Sequence, residues 1–181
     1  MKATGLCRRI DNLGRIVIPK EIRRSLRIRE GEPMEIIVNK EGEILLSKFS
    51  PVQDLGQMAE EYVEVLAEST RALACVCDRQ GIVAAAGPES SKWVEQPIHP
   101  ELLDCIEQRQ SVVATVDDAR FCKLMQDAPM IVSEVICPIV VEGDALGAVF
   151  IAGKNKNRIF SEIEEKVVSC GAKFLGKQFE V

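Results

Sequence analysis

Short stretches of alternating hydrophobic and polar residues open the chain, and they predict a small β-rich unit. Residues 4–10 and 15–18 have the pattern of two strands, and Asp11–Gly14 between them has the residue types of a tight turn. Pro19 ends the second strand because it donates no backbone hydrogen bond, and it suits the first turn of a helix. The spacing then predicts a helix of about two turns over Lys20–Arg27.

A second alternating segment predicts a β-hairpin. Met34–Asn39 and Glu43–Phe49 flank the loop Asn39–Gly42, which has its glycine late in the loop, as hairpins favour. The alternation puts the following side chains on one face of the hairpin: Met34, Ile36, Val38, Ile44 and Leu46. A unit of this size buries only about 60% of its unfolded surface. We therefore expect residues 1–50 to be stable only as a dimer with a second copy.

The pattern changes after residues 51–54, which we interpret as a linker, and residues 55–181 predict a separate domain. An amphipathic helix is predicted over Leu55–Thr70, which could pair across a dimer or pack on its own domain. Strands and a helix follow at Ala72–Asp78, Ile82–Ala86, His99–Gln108 (helix), Ser111–Val116, Ser133–Val141 and Ala145–Gly153. The fold class is therefore α+β: a β-rich dimer domain, then an antiparallel sheet flanked by helices.

A final helix is predicted from Ser161 to about Gln178. Ser161 and Glu164 have the spacing of a capping box, in which each side chain bonds the other residue's backbone amide. Four residues follow at the spacing expected of a core-facing stripe: Ile163, Val167, Cys170 and Phe174.

Charge is divided unevenly between the two halves. Residues 1–50 contain eleven Lys and Arg against seven Asp and Glu, a net charge of +4, whereas residues 51–181 contain twelve against twenty-one, a net charge of −9. A basic end on an acidic protein is expected when that end meets a polyanion. On the predicted helix, four cations fall within an arc of about 100°, opposite Ile22 and Leu26: Lys20, Arg23, Arg24 and Arg27. Their mutual repulsion favours an anionic partner.

The seven cysteines have no C-x-x-C pair, so neither a zinc site nor any other metal or cofactor is predicted. We interpret them mainly as small buried residues, with a redox-sensing thiol as the alternative. If the chain were a cysteine-dependent enzyme, the candidate nucleophiles would be Cys75, Cys77, Cys122 and Cys137. His99, the single histidine, stands between prolines at a predicted helix start and is interpreted as a surface residue. No catalytic site is predicted.

The first 28 residues resemble the swapped-hairpin DNA-binding domain of the AbrB family, with the motif K-A-T-G, then R-R-I-D-N-L-G-R-I-V-I-P-K-E-I-R-R-S-L. The resemblance implies an interleaved dimer that binds double-stranded DNA through Arg8, Arg15, Arg23 and Arg24. The geometry of the basic face adds four weaker candidates: Lys2, Arg9, Lys20 and Arg27. Family domains of this kind also occur in antitoxins, which leaves a protein-binding role as an alternative.

The remainder resembles the second domain of two-domain members of that family, a GAF domain. Asn155-Lys156, Phe160 and Glu164 loosely match the N-K…F-x-x-x-D-E pattern of cyclic-nucleotide GAF domains, with Glu in place of Asp, and we interpret them as a structural cap. The resemblance implies a regulator of a sporulation programme whose second domain senses an unidentified small molecule or joins two dimers into a tetramer. We expect a cytoplasmic, nucleoid-associated protein, because no apolar stretch reaches the ~20 residues of a membrane span and the start has no signal-peptide core.

Overall fold

The computed structural model describes residues 7–31, 34–50, 52, 55–155 and 159–179, and its contacts divide the chain into two compact units, residues 1–49 and 50–181. The first unit contains helix α1 (Lys20–Ser25) and strands β1 (Met34–Val38) and β2 (Ile44–Lys48). Of the predicted linker 51–54, only Val52 is described, and its side chain is buried.

The first turn forms where the sequence predicts it, but the strands on either side of it do not. Gly14 donates its amide to the Asp11 carbonyl at 3.0 Å, and Asp11 donates to the Arg15 carbonyl at 3.1 Å. Residues 7–10 and 15–18 belong to no strand of the described structure, so the strand prediction is wrong there for the single chain, and residues 4–6 of the first predicted strand lie outside the described residues. The reason is that a strand is defined by its pairing, and no other described segment of this unit forms a sheet with them.

Helix α1 is also shorter than predicted, because it ends at Ser25. Arg27 adopts a left-handed backbone with φ of 52°. The Ile28 amide then donates to the Arg23 carbonyl at 2.7 Å, and the Arg27 amide to the Arg24 carbonyl at 3.2 Å. These two bonds are those of a Schellman motif, which satisfies the last carbonyls of the helix and stops it. The prediction that Arg27 lies on the helical arc is therefore wrong.

The second hairpin matches its prediction in loop and register. In β1 and β2, Ile36 stands opposite Leu46 and Val38 opposite Ile44. Asn39 fixes the loop, since its side chain accepts from the Glu43 amide and donates to the Glu43 carboxylate, both at 2.8 Å. The side chains predicted to share one apolar face of the hairpin therefore do lie on the same face.

Within its described residues, the second unit contains three helices of two or more turns, a short 3₁₀ turn and a five-stranded sheet. In chain order the elements are α2 (Gly56–Thr70), β3 (Leu73–Asp78), β4 (Ile82–Ala86), the 3₁₀ turn (Ser90–Lys92), α3 (Pro100–Gln108), β5 (Val112–Thr115), β6 (Ser133–Val141), β7 (Asp144–Gly153) and α4 (Glu162–Lys177). The sheet is antiparallel throughout, with strand order β4-β3-β7-β6-β5. The predicted α+β architecture is confirmed.

Strand alternation gives this sheet two buried faces. One face, with Val76 of β3 and Ile151 of β7, packs against α2 and α4. The other carries Cys75 and Phe150 and is covered by α3 and by loops, with Trp93 fully enclosed. The two faces explain why the central strands read as nearly continuous apolar runs rather than as alternating ones.

Helix α2 packs on its own unit, against β3, β4 and α4, as one of the two predicted alternatives has it, and pairing across copies stays a prediction. The prediction of which stripe forms the core face of α4 is wrong, because Ile163 is 73% exposed and Phe174 is 49% exposed. The face that α4 turns toward the sheet instead carries Val168 and Leu175, both fully buried. Helix α4 is thus apolar on two sides, and one of them is open to solvent.

Candidate nucleic-acid interface

Helix α1 separates an apolar edge from a cationic face. Ile22 and Leu26 line a groove of the first unit together with Pro19. Lys20 and Arg24 are exposed, as expected for side chains at the opposite angles of the helix. Arg23, whose amide donates to the Pro19 carbonyl at 3.0 Å, lies between these sides and is partly buried. The short helix therefore keeps cations on the side facing away from its packing edge.

Six of the predicted DNA-contacting arginines and lysines have no carboxylate at ion-pair distance in the part of the chain that the structure describes: Arg8, Arg9, Lys20, Arg23, Arg24 and Arg27. Exposed arginines without an internal partner leave their forked donors available to phosphate or guanine. This is the electrostatic character of a surface that binds an external polyanion.

Arg15 differs, because the turn before it holds its side chain. Its Nε donates to Oδ2 of Asp11 at 2.8 Å, while Oδ1 of Asp11 accepts from the amides of Leu13 and Arg15. These bonds, led by the one from the Arg15 amide, lower the pKa of the Asp11 carboxyl. The pair is exposed, so its stabilising energy is small. Its effect is to orient the guanidinium at the tip of the turn.

The remaining predicted contacts are placed differently. Arg8 lies beside the apolar edge of α1, since it lines the same groove as Ile22. Arg9 is exposed. Arg27 is exposed after the end of the helix, and its carbonyl accepts from Nζ of Lys48 at 3.0 Å. Lys2 lies outside the described residues. The structure thus brings Arg8 to the α1 region and removes Arg27 from the helical face.

The first unit also exposes most of its apolar side chains. None of residues 7–31 and 34–49 is buried. On the predicted hairpin face, Ile36 is 66% exposed and Val38 is 68% exposed. An exposed contiguous apolar surface of this kind marks an interaction site.

The cysteines named as candidate nucleophiles are held as thiols. Cys75 and Cys77 are fully buried, and burial raises the pKa of both. The pKa values of Cys122 and Cys137 are raised as well, for Cys122 mainly by its hydrogen bond with Cys105 and for Cys137 by burial. His99 caps helix α3, since its Nδ1 accepts from the Glu101 amide at 3.2 Å.

Two residues that the sequence analysis did not single out stand beside these thiols. The Cys105 thiol has a lowered pKa, mainly because of the hydrogen bond that joins it to the Cys122 thiol. Glu134 is fully buried on β6, and burial raises its pKa to about 7. No local pattern could have found them, because the partners that define them are distant in sequence.

The described residues contain neither a metal-binding cluster nor a membrane-crossing helix. No group of three or more His, Cys, Asp and Glu side chains there could hold a metal ion. No helix within those residues is both long and apolar enough to cross a membrane.

Known proteins match both units. A family model described as antidote-toxin recognition MazE, bacterial antitoxin, matches residues 8–54. The transition state regulatory protein AbrB of Bacillus subtilis (strain 168) is 41% identical over 68 residues, which cover 36% of this chain and 70% of AbrB. The AbrB resemblance read from the first residues is therefore confirmed.

The second unit has the fold of a GAF domain, as predicted. The GAF domain of PixJ from Thermosynechococcus elongatus superposes with a TM-score of 0.54 at 16% identity, covering 70% of this chain and 88% of that one. A family model described as stage V sporulation protein T C-terminal, transcription factor, matches residues 54–180. Stage V sporulation protein T of Bacillus subtilis (strain 168) is 43% identical over 99% of both chains. The chain therefore belongs to the stage V sporulation protein T family of transcription factors.

Proposed function

We propose that this chain is a sequence-specific DNA-binding transcription regulator of a sporulation programme, acting as a dimer through residues 1–50. The observation that carries the proposal is the cationic side of α1, where Arg23 and Arg24 have no carboxylate partner among the described residues. Family membership supports the biological setting, because a relative that matches over almost the whole chain carries a sporulation protein's name.

The dimer is supported by the exposed apolar surface of the first unit. Ile36 and Ile44 lie on one face of the β1–β2 hairpin, and each is 66% exposed. Burying an aliphatic side chain of this size stabilises by about 1.5–3 kcal/mol. A second copy would cover this face, and it would also offer pairing partners to segments 7–10 and 15–18. Exchange of hairpins between copies, as in the AbrB-type domain, satisfies both needs.

Some of the DNA contacts would bind the phosphate backbone, and others would recognise base edges. Arg23 and Arg24, repeated in the second copy, would neutralise phosphates and release counterions, which supplies most of the affinity. Arg15, oriented by Asp11 at the tip of the turn, is the better candidate for a guanine edge, since a fixed guanidinium makes two parallel bonds there. Arg8, Arg9, Lys20, Lys2 and Arg27 would add weaker phosphate contacts.

The second unit would join dimers into a tetramer through the open side of α4. Ile163, Val167 and Phe174 stand at helical spacing on that side, and all three are exposed in the single chain. Val65 of the neighbouring helix α2 is 62% exposed as well. Two apolar helices side by side form a surface suited to packing against the same pair from another copy. An Ile163→Ser, Phe174→Ser variant should then sediment as a dimer rather than a tetramer.

The match of residues 8–54 to an antitoxin model favours one second candidate, in which the first unit binds a partner protein. In antitoxins the output segment after such a domain is short, whereas here residues 50–181 fold into a sheet-based unit. Co-purification of one stoichiometric partner protein, together with no preference for any DNA sequence, would favour this candidate.

The decisive experiment is a salt titration of DNA binding with the full chain. A 30-base-pair duplex recovered from a randomised pool serves as the ligand, and a shuffled duplex measures non-specific affinity. Each phosphate contact contributes about 0.9 to the slope of log K against log salt. Arg23→Ala with Arg24→Ala removes four contacts per dimer, so the slope should fall by about 3.6.

The matched control is Lys166→Ala with Lys173→Ala on α4, which removes the same charge from exposed positions of the second unit. Its slope should equal that of the parent. A Arg23→Ala, Arg24→Ala variant that keeps the parental slope would refute the assignment of α1 as the contact. Failure to recover any preferred duplex would refute sequence-specific binding.

A further inference from the structure

Two cysteine thiols meet at the edge of the second buried face of the sheet. Cys105 lies on helix α3, and Cys122 lies in the loop between β5 and β6. Their Sγ atoms are 3.4 Å apart, which is within hydrogen-bond distance for sulfur. Closing this gap to the ~2.05 Å of a disulfide requires each sulfur to move by well under 1 Å, a displacement that side-chain rotation supplies.

Hydrogen bonds from the two residues after Cys122 hold its loop against the start of α3. The Lys123 amide donates to Oε2 of Glu101 at 2.8 Å, and the His99 amide donates to the Leu124 carbonyl at 3.0 Å. The Cys122 amide donates to Oε1 of the buried Glu134 at 2.8 Å. The backbone at Cys122 and the two residues after it is therefore held beside α3, which keeps the two cysteines close together.

The two thiols differ in access and in protonation. Cys105 is partly exposed, whereas Cys122 is 5% exposed. The hydrogen bond between the two thiols lowers the pKa of Cys105 and raises that of Cys122, whereas burial and the charges of Asp104 and Glu101 act to raise the pKa of Cys105. An accessible thiolate with a second thiol behind it is the arrangement of a redox-reactive pair.

We propose that Cys105 and Cys122 form a reversible redox switch, which a peroxide closes into a disulfide between α3 and the β5–β6 loop. The Cys105 thiolate attacks one oxygen of hydrogen peroxide, the O–O bond breaks, and a sulfenic acid forms. The other oxygen leaves as hydroxide and becomes water by taking up the proton that the Cys105 thiol had lost. The Cys122 sulfur then attacks the sulfenic sulfur, the S–O bond breaks, and water leaves with the Cys122 proton. In sum, two thiols and one peroxide give one disulfide and two waters.

This redox switch is separate from the proposed DNA binding and would operate whether or not the protein binds DNA. Closing it would fix α3, which packs on β6 and β7, to a loop on the same side of the sheet. That side is the one whose cluster includes Trp93, Leu102 and Met125. The disulfide would therefore hold this side of the second unit closed in the oxidised protein and release it in the reduced protein.

The test uses the full chain carrying Cys7→Ser and Cys170→Ser, which removes the two exposed cysteines that could cross-link copies. The protein is treated with hydrogen peroxide, the remaining thiols are alkylated with iodoacetamide, and a tryptic digest is analysed by mass spectrometry. The expected product joins the tryptic peptide Trp93–Arg109 to Phe121–Lys123, two hydrogens lighter than the reduced pair. Dithiothreitol should restore both alkylated peptides in full, and Cys75 and Cys77 should stay reduced throughout.

Two single variants separate the steps. With Cys122→Ser, peroxide should leave a sulfenic acid at Cys105 that dimedone captures. With Cys105→Ser, no adduct and no cross-link should form, because Cys122 is enclosed. The principal measurement uses the protein that keeps both Cys105 and Cys122. It therefore stays valid if one of the single variants misfolds. Oxidation of Cys105 to a sulfinic or sulfonic acid without the cross-linked peptide would overturn the proposal, as would unchanged alkylation of both thiols.

Discussion

The buried carboxyl of Glu134 makes the stability of the second unit depend on pH. Its side chain is fully buried on β6, and one oxygen accepts from the Cys122 amide at 2.8 Å. The other oxygen, Oε2, has no hydrogen-bond partner among the described residues. A carboxylate with one unsatisfied buried oxygen is costly, and burial raises the pKa from an ordinary 4.5 to about 7. The perturbation that tests this environment is Glu134→Gln, which keeps an acceptor for Cys122 and removes the charge.

The expected magnitude follows from that pKa. Because the folded state holds the proton up to about pH 7 and the unfolded chain loses it near pH 4.5, the folded state binds more protons between these values. The free energy of unfolding must therefore fall as the pH rises through that window, and the loss is complete above it. This rise in the pKa of Glu134 corresponds to a loss of about 3 kcal/mol in the free energy of unfolding. Glu134→Gln should exceed the stability of the parent by less than about 1 kcal/mol at pH 5 and by about 3 kcal/mol at pH 8.

Urea unfolding at pH 5, 6, 7 and 8 measures this difference. Trp93 is the one tryptophan of the sequence and is fully buried on the same side of the sheet as Glu134's partner Cys122, so its fluorescence follows unfolding of this unit. The matched control is Glu68→Gln, the same chemical change at an exposed position of α2. Its stability should follow the parent at every pH. If Glu134→Gln and Glu68→Gln give parallel pH profiles, the reasoning from burial is refuted.

Three further predictions concern the other elements. Ile36→Ser should weaken the dimer about 30- to 700-fold in sedimentation, because about 1–2 kcal/mol of burial is lost from each copy; the exposed-loop control Met130→Ser should dissociate like the parent, and equal dissociation of Ile36→Ser and the parent would contradict the prediction. Arg27→Gly should stabilise the first unit by about 1 kcal/mol in thermal unfolding relative to Arg27→Ala, since only glycine adopts the left-handed backbone without strain; equal stabilities would mean that the backbone is unstrained. Oxidised protein should be more stable than reduced protein by up to about 3 kcal/mol, from closing a loop between residues 17 apart, and Cys122→Ser should show no change on oxidation.

Local features of the sequence predicted most elements correctly. Asn39–Gly42 determines the hairpin register, because the loop residues themselves make the hydrogen bonds that close it. Ser161 and Glu164 start α4 through their reciprocal capping bonds. Pro19 starts α1 at the residue expected. Each of these depends on neighbours within a few positions, which a reading of the sequence can see.

The candidate DNA surface was predicted from the same kind of local information, and the error in that prediction was the position at which α1 ends. Periodicity continued the helix to Arg27, but the Schellman bonds from Arg27 and Ile28 stop it at Ser25. The residue at the left-handed position is an arginine where glycine is usual, so the sequence had no ordinary stop signal.

What the sequence determined by itself was therefore the identity of the elements, the division of charge and the family motif around Arg8–Arg24. Only the tertiary structure decided which side of α4 is core, because its two apolar stripes have the same helical period and the sheet accepts only one, that of Val168 and Leu175. It alone placed Cys105 beside Cys122 and enclosed Glu134, because burial and contact between distant segments depend on how the whole chain packs. A repeating pattern specifies an element, but its environment is set by everything packed around it.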